Sequence, residues 1–320
     1  MTSLWFVVPA HGRLELSRIC LRQLRRTCDA LAENGIKATA VVVADDGNLE
    51  TAREVGFGTV ERDNQFVSRR FNDGVQAAFD PYNPAPGGES GLGRYEVIGS
   101  REYRGNGRGS VFEAKIPPGP ERRAVLRGDI RLLSRVTATI PPGALTMPDN
   151  SQPADYVVMI GSDDWVDWRI LLNLPEPDEI VGFQYCSFVR EDGIEMTKTF
   201  LDYVGGCGIR IYPRPVMASA GFRPADEALR RGCDTSIRNN LLDADANLRI
   251  MHVVTDPRQI VDWKTPGQQL NDYRQIRARH SRKASVSDPF EDLADVFPAE
   301  ALEEMQDHYH KRGAEMLLTR

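Results

Sequence analysis

Hydrophobic positions in the first 80 residues change their spacing in a regular order. Leu4 to Val8 is a continuous apolar run, and from Leu14 to Leu31 apolar residues recur at steps of three and four. The first pattern is typical of a buried strand and the second of an amphipathic helix. A second apolar run, Ala40 to Ala44, precedes a short helical pattern from Leu49 to Val55. The order strand, helix, strand predicts a right-handed crossover in a parallel sheet.

The later chain continues this alternation after an interruption. Further strands are predicted over 60–62, 156–160, 179–185, 200–203 and 250–254, and further helices over 68–79, 224–231, 235–242 and 300–318. Between these, residues 80–155 are rich in Pro and Gly, with short apolar segments that end in Pro-Pro-Gly, which indicates a small β-rich insertion. The predicted fold class is α/β: a mostly parallel sheet with helices on both faces, plus this insertion.

Two of the predicted strands end in paired aspartates. The run 40–44 is followed by Asp45 and Asp46, and the run 156–160 is followed by Asp163 and Asp164 after a Gly-Ser step. Ligands of such sheets bind outside the carboxyl ends of the strands. Two carboxylate pairs at one edge predict an acidic crevice that suits a divalent cation and a ligand rich in hydroxyls or phosphates. This combination points to sugar-nucleotide chemistry.

Composition narrows the class of protein. With 320 residues, 41% hydrophobic and 27% charged, the chain has the make-up of an ordinary soluble globular protein. Its net charge of −6 argues against binding nucleic acid by bulk electrostatics. The five cysteines form no CxxC pair, and the sequence contains neither a signal peptide pattern nor an apolar run of ~20 residues. We therefore expect reduced core thiols and a soluble, cytoplasmic protein without a membrane span.

Several motifs resemble GT-A glycosyltransferases of the inverting family 2. The segment 6–13 is similar to that family's first strand and polar turn, and 41–48 to its "VVDDGS" strand. Residues 69–74 resemble its Asn-x-Gly helix start, and 159–164 stand where the family carries its Asp-x-Asp metal motif. In the second half, 205–208 with 221–222 resemble the acceptor loop, 232–235 the segment of the catalytic base, and 261–265 a lysine-bearing element that closes over the donor.

The resemblance implies a role for each of these segments. Donor contacts are expected from Pro9, His11, Arg13, Asp45, Asp46, Asn72, Ser162 and Lys264. The acceptor side is expected at Asp202, Gly205 and Gly206, and the catalytic base at Asp234. Asp163, Asp164 and His252 are expected to hold Mn²⁺ or Mg²⁺.

One position departs from the family pattern. The first acid of the metal motif is replaced by Gly161, so that Asp163 aligns with the acid that contacts the metal directly and Asp164 is an additional carboxylate. This departure predicts a site with one strong ligand, completed by the donor diphosphate, water and His252.

Each carboxylate also has a structural alternative. Asp45 and Asp46 suit a turn or a cap for the Leu49 helix, and Asp163 and Asp164 suit a cap for a helix starting at 165. Asp234 is an equally good N-cap.

The other candidate residues have alternatives of the same kind. His252 lies within an apolar strand, where a core histidine is common. Trp165 and Trp168 suit packing as well as sugar stacking, and the basic run 274–283 suits either a solvated face or a loop ordered by diphosphate.

The predicted function is metal-assisted transfer of a sugar, with inversion, from a UDP-, GDP- or TDP-linked donor to an acceptor hydroxyl. The acceptor is left open among protein, nucleic acid, glycan and small molecule. A sugar nucleotidyltransferase and a non-catalytic binding protein on a degenerate GT-A scaffold are the alternatives. We expect a nucleotide-binding half over 1–80, the insertion over 81–155, a metal and acceptor half over 156–270, and a basic segment with a C-terminal helix over 271–320.

Overall fold

The fold is taken from a computed structural model that describes residues 2–62, 67–79, 145–147, 153–190, 193–198, 209–227, 233–245, 247–263, 285–286 and 288–318. The strands are β1 (Thr2–Pro9), β2 (Ile36–Ala44), β3 (Gly58–Glu61), β4 (Leu145–Thr146), β5 (Tyr156–Met159), β6 (Asp164–Val166), β7 (Glu179–Phe183), β8 (Tyr185–Arg190), β9 (Gly193–Lys198), β10 (Arg210–Pro213), β11 (Arg249–Val253), β12 (Ile260–Trp263) and β13 (Ser285–Val286). The helices are α1 (Leu14–Glu33), α2 (Asn48–Glu54), α3 (Val67–Phe79), α4 (Arg214–Ser219), α5 (Cys233–Ala244), α6 (Pro289–Leu293) and α7 (Ala299–Leu318).

The main sheet contains eight of these strands in the order β11-β7-β10-β5-β1-β2-β3-β4. β1 lies between β2 and β5 and pairs in parallel with both, so that Phe6 stands beside Ala40 on one side and Val158 on the other. The strands β10 and β4 run against the other six. The sheet is thus mostly parallel.

Helices cover both faces of this sheet. Because side chains alternate along a strand, Phe6 and Val8 face α1 while Trp5 and Val7 face α3 and α5. α3 approaches the sheet closely at Gly74, where a Cβ atom would lie 2.3 Å from Val7 Cγ1. The predicted fold class is confirmed by this arrangement.

A second, five-stranded sheet in the order β13-β9-β8-β12-β6 was not predicted. The sequence suggests one strand over 179–185, but the chain changes sheet at Gln184: β7 stays in the main sheet and β8 enters the second one. Cys186 and Phe188 of β8 pack into the core beneath the main sheet. The second sheet therefore takes the place of further helices on that face.

Two other element predictions differ from the structure. Pro224–Glu227 of the predicted helix 224–231 is not helical, and residues 228–231 lie outside the described residues. A short helix, α4, forms just before this segment instead. Most of the expected insertion 81–155 also lies outside the described residues, whereas Leu145–Thr146 adds an antiparallel edge strand beside β3.

The C-terminal helices α6 and α7 close an aromatic core against the second sheet. Trp165 is buried, with its ring 4.9 Å from Trp263 and 5.1 Å from Phe297. Trp165 is therefore a packing residue, and Trp168 packs at the margin of the main core. Among the described residues the cysteines are buried free thiols, and no helix is both long and apolar enough to cross a membrane.

Candidate functional site

The paired aspartates meet at one edge of the main sheet. β2 and β5 flank β1 and run in the same direction, with Val41 and Met159 both beside Val7. Both strands therefore end beside the loop that follows Pro9. Both aspartate pairs thus reach one edge of the sheet, as the sequence predicts.

The buried part of the site is a cluster of three carboxylates. One oxygen from each of Asp163, Asp164 and Asp262 lies within 4.8 Å of the others, and each residue is less than a tenth exposed. Antiparallel pairing of β6 with β12 sets Asp262 beside Asp164. Two unit charges at 4.8 Å repel by about 3 kcal/mol at an effective dielectric constant of ~20. A cation bound among the three carboxylates would offset this repulsion.

Asp262 was missing from the residues predicted from sequence. The structure brings it to Asp163 from a strand nearly a hundred residues later, through the second sheet. A signal was present, because Asp262 interrupts the apolar run between Val261 and Trp263. With Asp262 the cluster offers three carboxylates, where the sequence predicts one strong ligand.

The packing of Asp163 and Asp164 explains why residue 161 is a glycine. Its amide donates to Asp164 Oδ2 at 2.8 Å, and a Cβ atom on Gly161 would lie 2.7 Å from that oxygen and 2.9 Å from Asp163 Oδ1. The two carboxylates therefore fill the space that a side chain at this position would need. Beside them the Ser162 hydroxyl is buried and has no hydrogen-bond partner among the described residues.

The helix-cap alternative for Asp163 and Asp164 is wrong. Asp164 begins strand β6, and the next helical turn is the 3-10 segment Trp168–Leu172. That turn is capped by Asp167, whose carboxylate accepts a hydrogen bond from the Arg169 amide.

Arg13 connects the loop after β1 to the acidic cluster. Its Nη1 atom donates to Asp163 Oδ2 at 2.5 Å, and both side chains are less than a fifth exposed. Burial of the guanidinium opposes its charge, but Asp163, with Asp262 behind it, raises the pKa of Arg13 above its ordinary value. One carboxylate of the cluster, Asp163, is thus paired with the positively charged Arg13 side chain.

Asp46 holds the loop that carries Arg13. Its Oδ2 atom accepts the Gly12 amide at 2.8 Å, and its Oδ1 atom accepts the amide and the side chain of Asn48 at 3.0 and 2.7 Å. The Asn48 side chain also donates to the Gly12 carbonyl at 3.2 Å. Asp46 therefore stabilises a turn, which is one of the two roles that the sequence left open. Its contact with a nucleoside stays a proposal.

Asp45 has basic partners on the outer side of the crevice. Its Oδ1 atom lies 3.2 Å from His11 Nδ1 and 3.1 Å from Arg70 Nη2, and Arg70 also donates to the Ala10 carbonyl. Burial raises the pKa of Asp45, but the His11 hydrogen bond and the Arg70 charge outweigh it, so the pKa is lowered overall. His11, Asp45 and Asp46 together form a second group with oxygen and nitrogen ligands, more exposed than the first.

Arg210 connects Asp234 to the same edge of the main sheet. The buried Arg210 stands beside Met159, and its Nη2 atom lies 3.7 Å from Asp234 Oδ2. Its Nη1 atom donates to the Asp234 carbonyl and to the Tyr212 hydroxyl, both at 3.3 Å. Asp234 stands in the first turn of α5 with about a third of its side chain exposed, so that both the base and the capping interpretation stay open.

Two other predicted residues stand on separate elements, His252 on β11 and Asn72 on α3. His252 lies on β11, and β7 and β10 separate that strand from β5, which places it about 14 Å away at ~4.8 Å per strand. The Asn72 amide is bonded to the backbone of Ala225 and to the Glu227 carboxylate, so it fastens α3 to a loop. Asp202, Gly205, Gly206, Lys264 and the basic run 274–283 lie outside the described residues.

Comparison with known proteins finds similar solved structures but no matching family model. No protein-family model and no curated protein matches the chain. Among solved structures, the chain is similar to the catalytic domain of Drosophila β1,4-galactosyltransferase 7 in complex with xylobiose, with 11% identity, a TM-score of 0.44, and coverage of 89% of this chain and 83% of that chain. A mutant of the same enzyme in complex with manganese, UDP-Gal and xylobiose has 10% identity, a TM-score of 0.39 and the same coverage. A likeness of this size transfers no activity. The mostly parallel sheet covered by helices on both faces is nonetheless the architecture that the resemblance to GT-A glycosyltransferases implies.

Proposed function

We propose that this protein is a glycosyltransferase that binds a nucleotide-sugar donor through a divalent cation at the carboxyl edge of the main sheet. The observation that carries the proposal is the buried cluster of Asp163, Asp164 and Asp262, whose carboxylates lie within 4.8 Å of one another. A net-acidic protein with an acidic crevice binds an anionic nucleotide when a cation bridges the two.

The residues of the cluster fit Mn²⁺ or Mg²⁺. Both ions prefer oxygen ligands, and the cluster supplies three carboxylates. Next to them is the Ser162 hydroxyl, which has no hydrogen-bond partner in the described part of the chain. Asp163, Asp164 and Asp262 would hold the ion. When bound, the ion neutralises the negative charge that develops on the departing nucleoside diphosphate.

The loop after β1 completes the donor side. Pro9 ends β1, and Asp46 fixes the backbone of Gly12 so that this loop lies between the two acidic groups. His11 and Asp45 present a polar, partly exposed surface that suits the hydroxyls of a nucleoside. We assign donor contacts to these residues and to Lys264, and acceptor contacts to the segment 202–206.

Asp234 is the proposed base. Transfer with inversion requires a carboxylate that takes the proton of the acceptor hydroxyl while its oxygen attacks the sugar from the face opposite the leaving group. The Arg210 guanidinium lies 3.7 Å from the Asp234 carboxylate, and the partly exposed Asp234 side chain is accessible to an acceptor. The predicted halves 1–80 and 156–270 would then supply the donor and acceptor sides, with 81–155 as an insertion and 271–320 as a tail.

The proposal is tested with a panel of UDP-, GDP- and TDP-sugars. We expect one nucleotide class to raise the melting temperature in the presence of Mn²⁺ but not of EDTA, and the corresponding donor to be hydrolysed or transferred only with the ion present. The control substitution Asp178→Ala should leave this metal-dependent binding unchanged, because it removes a half-exposed acid that is paired with Arg249. Metal-dependent binding without any turnover would favour the non-catalytic alternative, and no binding of any nucleotide would contradict both.

A further inference from the structure

The backbone conformation before α1, and two hydrogen bonds to it, hold Arg13 against the acidic cluster. Gly12 and Arg13 both have left-handed conformations, with φ of 60° and 47°, directly before α1. An arginine rarely adopts this conformation, and it is maintained here by the hydrogen bond from the Gly12 amide to Asp46 and by that from the Asn48 side chain to the Gly12 carbonyl. The strained turn points the guanidinium away from solvent and onto Asp163.

The guanidinium and a divalent cation would compete for the same carboxylate. Asp163 Oδ2 accepts a hydrogen bond from Arg13 at 2.5 Å, and Asp163 is one of the three carboxylates close enough to share an ion. Asp262 also raises the pKa of Arg13, so the guanidinium interacts with a second member of the cluster. A dication near these carboxylates would repel the guanidinium at short range.

We propose that Arg13 is a built-in counter-ion of the acidic cluster that competes with the divalent cation for Asp163. This inference rests on the proposed function. In the metal-free protein Arg13 offsets part of the repulsion among the three carboxylates, and the ion must displace it to reach Asp163. Asp46, which holds the turn of Arg13, thereby links the first pair of aspartates to the second.

The counter-ion makes metal binding weaker than the three carboxylates alone would give. A hydrogen bond to a charged group corresponds to roughly a ten- to hundredfold change in an equilibrium constant. Removal of the positive charge at residue 13 should therefore tighten Mn²⁺ binding about tenfold or more, a direction opposite to that of a lost ligand or a damaged site.

The experiment is isothermal titration of the nucleotide-free protein with Mn²⁺. Arg13→Gln should bind Mn²⁺ about tenfold tighter than the wild type, while Arg13→Lys, which keeps the charge, stays within about threefold. Arg18→Gln is the matched control: it removes the same charge from an exposed position on α1 and should leave the affinity within about twofold. In EDTA, Arg13→Gln should melt below the wild type, and Mn²⁺ should raise its melting temperature by more.

Asp163→Ala separates this proposal from the proposed function. Loss of Mn²⁺ binding in Asp163→Ala together with unchanged or weaker binding in Arg13→Gln would overturn the counter-ion and leave the cation site intact. Mn²⁺ binding that ignores both substitutions, or no binding in any variant, would overturn the cation site and the counter-ion together.

Discussion

Gly161→Ala tests the account of the acidic cluster with one added carbon atom. The new Cβ would lie 2.7 Å from Asp164 Oδ2 and 2.9 Å from Asp163 Oδ1, distances that Cβ atoms essentially never show. Both carboxylates stand at the ends of side chains, so they can move aside without moving the backbone. The substitution therefore displaces two of the three proposed ligands and leaves their charges in place.

The effect on stability should be small. Displacement of Asp164 weakens its hydrogen bond from the Gly161 amide, and a hydrogen bond to a charged group is worth ~1.5–3 kcal/mol. Alanine at a position without positive φ gains ~0.4–1 kcal/mol through the unfolded state. The net loss in the free energy of unfolding is about 1–2 kcal/mol. For 320 residues this lowers the melting temperature by about 1.5–3 °C.

The effect on metal affinity should be larger. Disturbance of groups that orient metal ligands typically costs 10–100-fold in affinity, and here the ligands themselves move. We expect Mn²⁺ binding, measured by titration calorimetry, to weaken by about that factor in Gly161→Ala. Gly47→Ala is the matched control at the other aspartate pair, because it has φ of −56° and its Cβ would lie 3.4 Å from Leu14.

A Gly161→Ala protein that binds Mn²⁺ as tightly as the wild type does would contradict a role for Asp163 and Asp164 as metal ligands. Equal weakening in Gly47→Ala would also count against it, since that result would show a general loss of structure. A melting temperature lowered by ten degrees or more would mean that the backbone moves instead of the carboxylates.

Three further predictions concern the other acids of the crevice. Asp262→Asn keeps the shape of the strand but removes one carboxylate, so Mn²⁺ affinity should fall at least about tenfold by calorimetry; unchanged affinity would remove Asp262 from the site. Asp234→Asn should reduce transfer by ~10²–10⁴ with donor affinity unchanged and at most ~1 kcal/mol lost in stability, whereas near-normal turnover would leave Asp234 a helix cap. The pKa of Asp45 is lowered below its ordinary value of 3.8, so its stabilising effect is present above that pH and lost as the pH falls below it. The melting temperature of Asp45→Asn should accordingly depend less on pH below about 4 than that of the wild type, and identical profiles would contradict the ion pairs seen here.

The parts of the site that the sequence predicts are those that local patterns determine. Continuous apolar runs predict buried strands, and their ends predict where Asp45 and Asp163 emerge. Because β1 lies between the two strands, both pairs do reach one edge.

The other parts depend on the order of strands, which spacing alone does not determine. Asp262 joins the cluster because β12 pairs with β6 in a sheet that no local pattern predicts. His252 lies far from it because β7 and β10 enter between β11 and β5. Gly161 looks like a lost ligand in the sequence, and only the packing of the carboxylates over it explains why glycine is needed there.

The most direct test of the central claim is the affinity of a nucleoside diphosphate with and without Mn²⁺. Titration calorimetry of the wild type should show binding at least about tenfold tighter with Mn²⁺ than with EDTA. Asp163→Ala should lose that difference while it keeps a melting temperature close to that of the wild type. The same dependence on Mn²⁺ in Asp163→Ala as in the wild type would contradict the assignment of the cation to this cluster.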